Sequence, residues 1–138
     1  MEQFTVGQNY VFTKEITDEV VRKFAEATGD FNPLHLDDDF AKQSIFGGRI
    51  AHGMLGAGII SGGLGMHMPG MGTTYLNQTL NFKKPVRLGD TVEVTLTITE
   101  ITPRRRFSVA KIATVLKNGA GQVAIDGSAE VILPQSKD

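Results

Sequence analysis

Cysteine is absent from this chain of 138 residues, which excludes disulfide bonds and thiolate chemistry. A surplus of charge is also missing. The formal net charge is −1, with neither an acidic nor a basic tail, so recognition of a nucleic-acid duplex has little electrostatic support. Long apolar runs are lacking. The longest, from Met54 to Met66, is interrupted by five glycines and a serine. It is too short to span a bilayer and lies too far inside the chain to act as a signal peptide. No internal repeat, low-complexity tract or linker-like run divides the sequence. These absences lead to the expectation of one soluble, cytoplasmic domain over residues 1–138, long enough to bury a core without staples.

The pattern of residues predicts α+β structure. A short strand is expected over 8–14, around Tyr10, Val11 and Phe12. Thr17 is a suitable helix N-cap, and Asp18 and Glu19 after it suit the positive end of a helix. Val20, Val21, Phe24, Ala25 and Ala27 give that helix an apolar face, and Gly29 fits the left-handed position that ends it. A further helical turn is expected near Asp37, carrying Phe40 and Ala41 inward. The glycines between 54 and 66 would each cost an exposed helix about 1 kcal/mol relative to alanine. Their density predicts a helix buried on nearly every side. The remainder reads as strands: 73–82, 91–101 with Val92, Val94, Leu96 and Ile98 on one face, 107–116 and 122–133. Asn118-Gly119 marks a hairpin turn between the last two. Apolar residues on both faces of 107–116 predict a strand covered on both sides.

The residues that carry chemistry follow the first helix. Asp30, Asn32 and His35 fall within six positions, with Pro33 stiffening the turn between them. An acid, an imidazole and an orienting amide on a fixed loop suit general acid–base catalysis. On residue type alone, an Asp after a helix-ending glycine is a turn residue that caps nearby amides. Downstream, Arg49-Ile50-Ala51-His52-Gly53-Met54 leads into the glycine-rich helix. Gly53 would sit at its N-terminus, where a backbone amide and the helix dipole can face a developing oxyanion, or it could only ease the entry into the helix.

The stretch from Phe24 to Ala41 resembles the hydratase signature of the MaoC-like (R)-specific enoyl-CoA hydratases. Phe24, Ala27, Thr28, Gly29, Asp30, Asn32, Pro33, Leu34, His35 and Ala41 fit that pattern in order. His52-Gly53-Met54 and Phe82-Lys83-Lys84-Pro85-Val86 followed by Gly89-Asp90 extend the likeness over nearly the whole chain. The resemblance implies a hotdog fold, an antiparallel sheet wrapped around the buried glycine-rich helix. It implies reversible syn hydration of a trans-2-enoyl-CoA, with Asp30, His35 and the Gly53 amide as catalytic groups. Asn32, Ser61 and Leu64 are then expected to bind substrate, with Leu64 as a floor that favours short acyl chains. The implied partners are an acyl-CoA thioester and a second copy of the chain; no cofactor is expected. A dehydratase acting on acyl-carrier-protein thioesters, a thioesterase and a non-catalytic acyl-binding protein are the alternatives.

Other motifs fall away. His35 with Asp37, Asp38 and Asp39 is a poor metal set, because consecutive carboxylates point in different directions and no second histidine sits at helical spacing, so no metal is expected. Ser61 lacks the Gly-x-Ser-x-Gly context of a nucleophile, since Ile59 stands at the first glycine position. Gly56–Ser61 follows no strand-like segment and is not a dinucleotide motif. Arg104-Arg105-Arg106 reads as a solvated turn; those arginines, Lys83 and Lys84 are weak candidates for contact with coenzyme A phosphates.

Overall fold

The computed structural model describes residues 3–135. The elements are β1 (Asn9–Glu15), α1 (Asp18–Thr28), α2 (Pro33–Leu36), α3 (Asp38–Lys42), α4 (Gly53–Met66), β2 (Thr74–Gln78), β3 (Asn81–Phe82), β4 (Thr91–Pro103), β5 (Ser108–Lys117) and β6 (Val123–Ile132). The strands form one antiparallel sheet in the order β1-β4-β5-β6-β2, with β3 also paired to β6. β4 alternates as the sequence predicts: Val92, Val94, Leu96 and Ile98 are fully buried. Ala110, Ile112 and Leu116 of β5 and Ala129 and Val131 of β6 continue that buried layer. α4 lies against it over β4 and β5. No helix among the described residues is long and apolar enough to cross a membrane.

Local chemistry sets the ends of α1 as expected. The Thr17 hydroxyl accepts from the Val20 amide, and Gly29 closes the helix with φ +80°. Ala27 is exposed, so the buried face of α1 is narrower than the sequence suggests and rests on Val21 and Ala25. Three other expectations need correction. The segment 73–82 is two strands, because pairing with β6 shifts register between Tyr75 and Asn77 and breaks between Gln78 and Asn81. The β5–β6 connection is longer than a two-residue turn. The Asn118 carboxamide oxygen accepts from the Ala120 and Gln122 amides and holds the loop closed. In α3 only Ala41 turns inward; Phe40 is 53% exposed because the helix is little more than one turn long and offers the core a single position.

The glycines of α4 do two different things. A Cβ at Gly56 would meet Ile125 Cδ1 at 2.5 Å, and one at Gly63 would meet the Phe12 ring at 2.7 Å or less, so here the helix backbone packs directly on the sheet side. Gly58, Gly62 and Gly65 face open space. Met54, Gly58, Gly62 and Met66 form an exposed stripe at helical spacing, so α4 is buried on one side of the protomer rather than on nearly every side. Gly63→Ala is therefore expected to destabilise the protein by about 1–2 kcal/mol, because displacing a packed ring outweighs the gain in helix propensity. Urea unfolding of the variant against wild type measures it.

Candidate active site

The loop from Asp30 to His35 is built by two caps in succession. The Asp30 carboxylate accepts from the Asn32 amide at 3.2 Å, and the Asn32 side chain accepts from the Leu34 amide at 3.0 Å. Asn32 is the N-cap of α2 and Pro33 its first residue, where a missing N–H costs nothing. What the sequence presents as a loop is thus partly a helical turn, and it rotates His35 into the protein while Asp30 stays at the surface. Asn32 has its carboxamide oxygen engaged in this cap, and it lines neither of the cavities described below.

His35 is only 8% exposed. Its Nδ1–H donates to the Ile50 carbonyl at 2.8 Å, since a carbonyl can only accept. That bond fixes the tautomer and leaves Nε2 with a free lone pair. Burial pushes the imidazole below the ordinary histidine range. The bond to Ile50 and the nearby Asp30 act in the opposite direction, and the neighbouring His52 acts with burial. The imidazole is therefore neutral at neutral pH and can accept a proton. Arg49 holds the segment from below: its Nε–H donates to the His35 carbonyl at 2.8 Å, and its Nη2 pairs with Asp18 at 2.5 Å. The hydrogen bond from Arg49, then that from Arg22, keeps the Asp18 carboxyl below its usual range.

His52 has no role assigned by the sequence beyond its place in the motif at the helix entry, yet it is 3% exposed and its ring lies 4.0 Å, centroid to centroid, from that of His35. Donor atoms of Asp30, His35 and His52 all fall within 4.8 Å of one another. The signal was a second imidazole beside the glycine already assigned to the site. The aspartates at 37–39 do not join this group: Asp37 caps α3 through the Phe40 amide, and Asp38 and Asp39 are exposed in its first turn.

Gly53 is the first residue of α4, and His52 before it makes no side-chain capping bond. The Leu55 amide donates to the His52 carbonyl, which leaves the Gly53 and Met54 amides available to a ligand, at the positive end of a helix of 14 residues. A Cβ at Gly53 would lie 2.9 Å from the Phe82 ring, so glycine lets that ring close over the helix start.

Two cavities flank this point. One, of about 370 Å³, is lined by His35, His52, Gly53, Phe82 and Lys84 among others. The other, of about 620 Å³, runs past Asp30, Met54, Gly58, Ser61 and Leu76. His35 lines the smaller cavity and Asp30 the larger, and both cavities run along the first turns of α4, with Gly53 and Gly56 in the wall of one and Met54 and Ala57 in that of the other. Ser61 lines the larger cavity. Leu64 does not: it is 2% exposed, belongs to the core and lines neither cavity. Three residues along a helix turn about 60° around its axis, enough to carry Leu64 from the groove into the core. The expectation of a leucine floor is corrected accordingly. Lys83 pairs with Asp126 at 2.7 Å, and Arg104–Arg106 form an exposed turn between β4 and β5.

The model of the MaoC like domain matches residues 2–119. The chain belongs to this family. It is 45% identical over 137 residues to a 3-hydroxybutyryl-CoA dehydratase of Methylorubrum extorquens, covering 99% of this chain and 85% of that one. It is 42% identical to an (R)-specific enoyl-CoA hydratase of Rhodospirillum rubrum, covering 96% and 90%. Among solved structures it resembles an (R)-hydratase from A. caviae involved in PHA biosynthesis, with a TM-score of 0.90, 40% identity and coverage of 97% and 100%. The MaoC-like chain thus has the hotdog fold, with α4 as the central helix held by the antiparallel sheet.

Proposed function

We propose that this MaoC-like protein catalyses the reversible syn hydration of trans-2-enoyl-CoA to (R)-3-hydroxyacyl-CoA. The observation that carries the reading is the convergence of the Asp30 carboxylate and the neutral His35 imidazole beside the head of α4. A water held between the carboxylate and His35 Nε2 has two acceptors for its protons. As its oxygen attacks C3, electron density moves to the thioester oxygen. The Gly53 N–H, at the positive end of α4, then donates to that oxygen and stabilises the enolate. The proton then passes from the same pair to C2, on the face from which water came, which makes the addition syn. No electrons change hands overall and the carbonyl carries the developing charge, so the chemistry calls for neither a metal nor a redox cofactor.

The larger groove, with Ser61 in its wall, offers the acyl tail an apolar path along α4. Its size suits a ligand rather than a single water. The test is loss of enoyl absorbance on mixing the protein with crotonyl-CoA, with a parallel assay for free thiol. Absorbance loss without thiol release is expected. Thiol release would support a thioesterase, and inertness toward crotonyl-CoA with turnover of crotonyl-acyl carrier protein would support the carrier-protein dehydratase.

We propose further that the enzyme works as a cytoplasmic homodimer. The exposed Gly62 and Met66 of α4 lie beside the larger groove, whose own wall includes the exposed Met54, Gly58, Tyr75 and Leu76, and together they form apolar surface that a second copy can cover while roofing the groove. Sedimentation velocity should show a dimer or larger assembly, and a stable, active monomer would contradict it.

A further inference from the structure

We propose that His52 is a positioning residue that holds Asp30, His35 and Gly53 in register through three separate attachments. This inference rests on the hydratase reading and adds to it a residue outside the acid–base pair. The first attachment is a hydrogen bond. His52 Nε2 lies 3.0 Å from the Asp30 backbone carbonyl, which can only accept, so Nε2 carries the hydrogen. The second is packing: the ring sits between His35, at 4.0 Å, and Phe24, at 4.8 Å. The third is covalent, since His52 is the N-cap of α4 and its next peptide bond carries the Gly53 N–H.

The other ring nitrogen shows what the side chain is not used for. Nδ1 is buried and has no hydrogen-bond partner among the described residues. An N-cap side chain ordinarily accepts from the first-turn amides, and this one does not. The imidazole is turned away from its own helix and toward the catalytic loop, at the cost of an unpartnered buried nitrogen. A flat ring that also donates at its far end satisfies both demands. Glutamine can supply the donor without the stacked ring, and phenylalanine the ring without the donor.

This separation gives a test. Steady-state kcat and KM on crotonyl-CoA, and the pH profile of kcat/KM, are measured for wild type, His52→Phe and His52→Gln, with folding checked by circular dichroism and thermal melting. In His52→Phe the Asp30 carbonyl loses its tether while the ring contact persists. Misplacement of a catalytic group by about 1 Å can cost about 10²-fold, so kcat should fall by that order with KM changed less than about threefold. In His52→Gln the tether is restored and kcat should return to within about tenfold of wild type. The groups that face His35 are His52 from α4 and Asp30 from the catalytic loop; Lys83 and Lys84, from the end of β3 onward, line the same cavity. Both substitutions remove the His52 imidazole, which acts with burial to lower the His35 pKa, and His52→Gln also lessens that burial, so the acid limb of kcat/KM should move to higher pH in His52→Gln and by less in His52→Phe.

Equal kcat in the two variants, or losses that follow only the folded fraction, would overturn the inference. So would an unmoved acid limb in His52→Gln, which decides the matter alone if His52→Phe does not fold. A wild-type protein inert toward crotonyl-CoA would remove the hydratase reading itself. An active wild type with an undiminished His52→Phe would remove only the role of His52.

Discussion

Asp30→Asn is expected to lower kcat for crotonyl-CoA hydration by at least about 10²-fold, within the ~10²–10⁴-fold range of general acid–base contributions. The substitution keeps the size and shape of the side chain and removes its capacity to accept a proton. Its structural cost should be small. The local bond Asp30 makes, from the Asn32 amide to its Oδ1, can be made equally by the carboxamide oxygen of asparagine. The residue is exposed, so no buried charge is lost. A decrease in kcat with an unchanged melting temperature would separate catalysis from capping. A folded Asp30→Asn protein with near-normal kcat would show that Asp30 is only the turn residue its position after Gly29 suggests.

His35→Ala should be as damaging, at about 10²–10⁴-fold in kcat, and the Asp30→Asn/His35→Ala double variant should fall little further. Two groups that hold one water act as a unit. Removing either abolishes the geometry that the other needs, so the second loss costs little. Full multiplicativity would mean that they act at different steps. The pH profile gives a second check on His35. In the proposed mechanism the working form is the neutral ring, with Nε2 unprotonated, and burial holds its pKa below the ordinary histidine value of 6.5. Activity that depends on this form therefore persists as pH falls through the ordinary range, and the acid limb of kcat/KM should lie below 6.5. A limb at or above that value would contradict a buried, Ile50-bonded imidazole.

Much of this arrangement was legible in the sequence because it is local. Thr17 and Gly29 delimit α1 through bonds within a few residues of each cap. The alternation of Val92, Val94, Leu96 and Ile98 follows from the two-residue repeat of a strand with one buried face. Gly53 heads α4 where the apolar run begins. What stayed hidden depends on contacts between distant segments. His52 reaches Asp30 across 22 positions and the Ile50 carbonyl reaches His35 across 15, and no periodicity encodes either. Asn32 looks like a free amide in sequence and is engaged in a cap in the fold. Leu64 shares a helix with Ser61, but only the sheet behind α4 decides that one faces a groove and the other the core. Glycine density alone likewise cannot tell Gly63, pressed on Phe12, from Gly62, which meets nothing.

The central claim is that the Asp30–His35 pair adds water across an enoyl thioester from one face. The most direct test is to incubate crotonyl-CoA with the wild-type protein in D₂O and to determine the configuration and labelling of the product. The account predicts (R)-3-hydroxybutyryl-CoA with a deuteron at C2 on the same face as the new hydroxyl. An (S) product, a deuteron on the opposite face, or free coenzyme A in place of a hydroxyacyl thioester would contradict it.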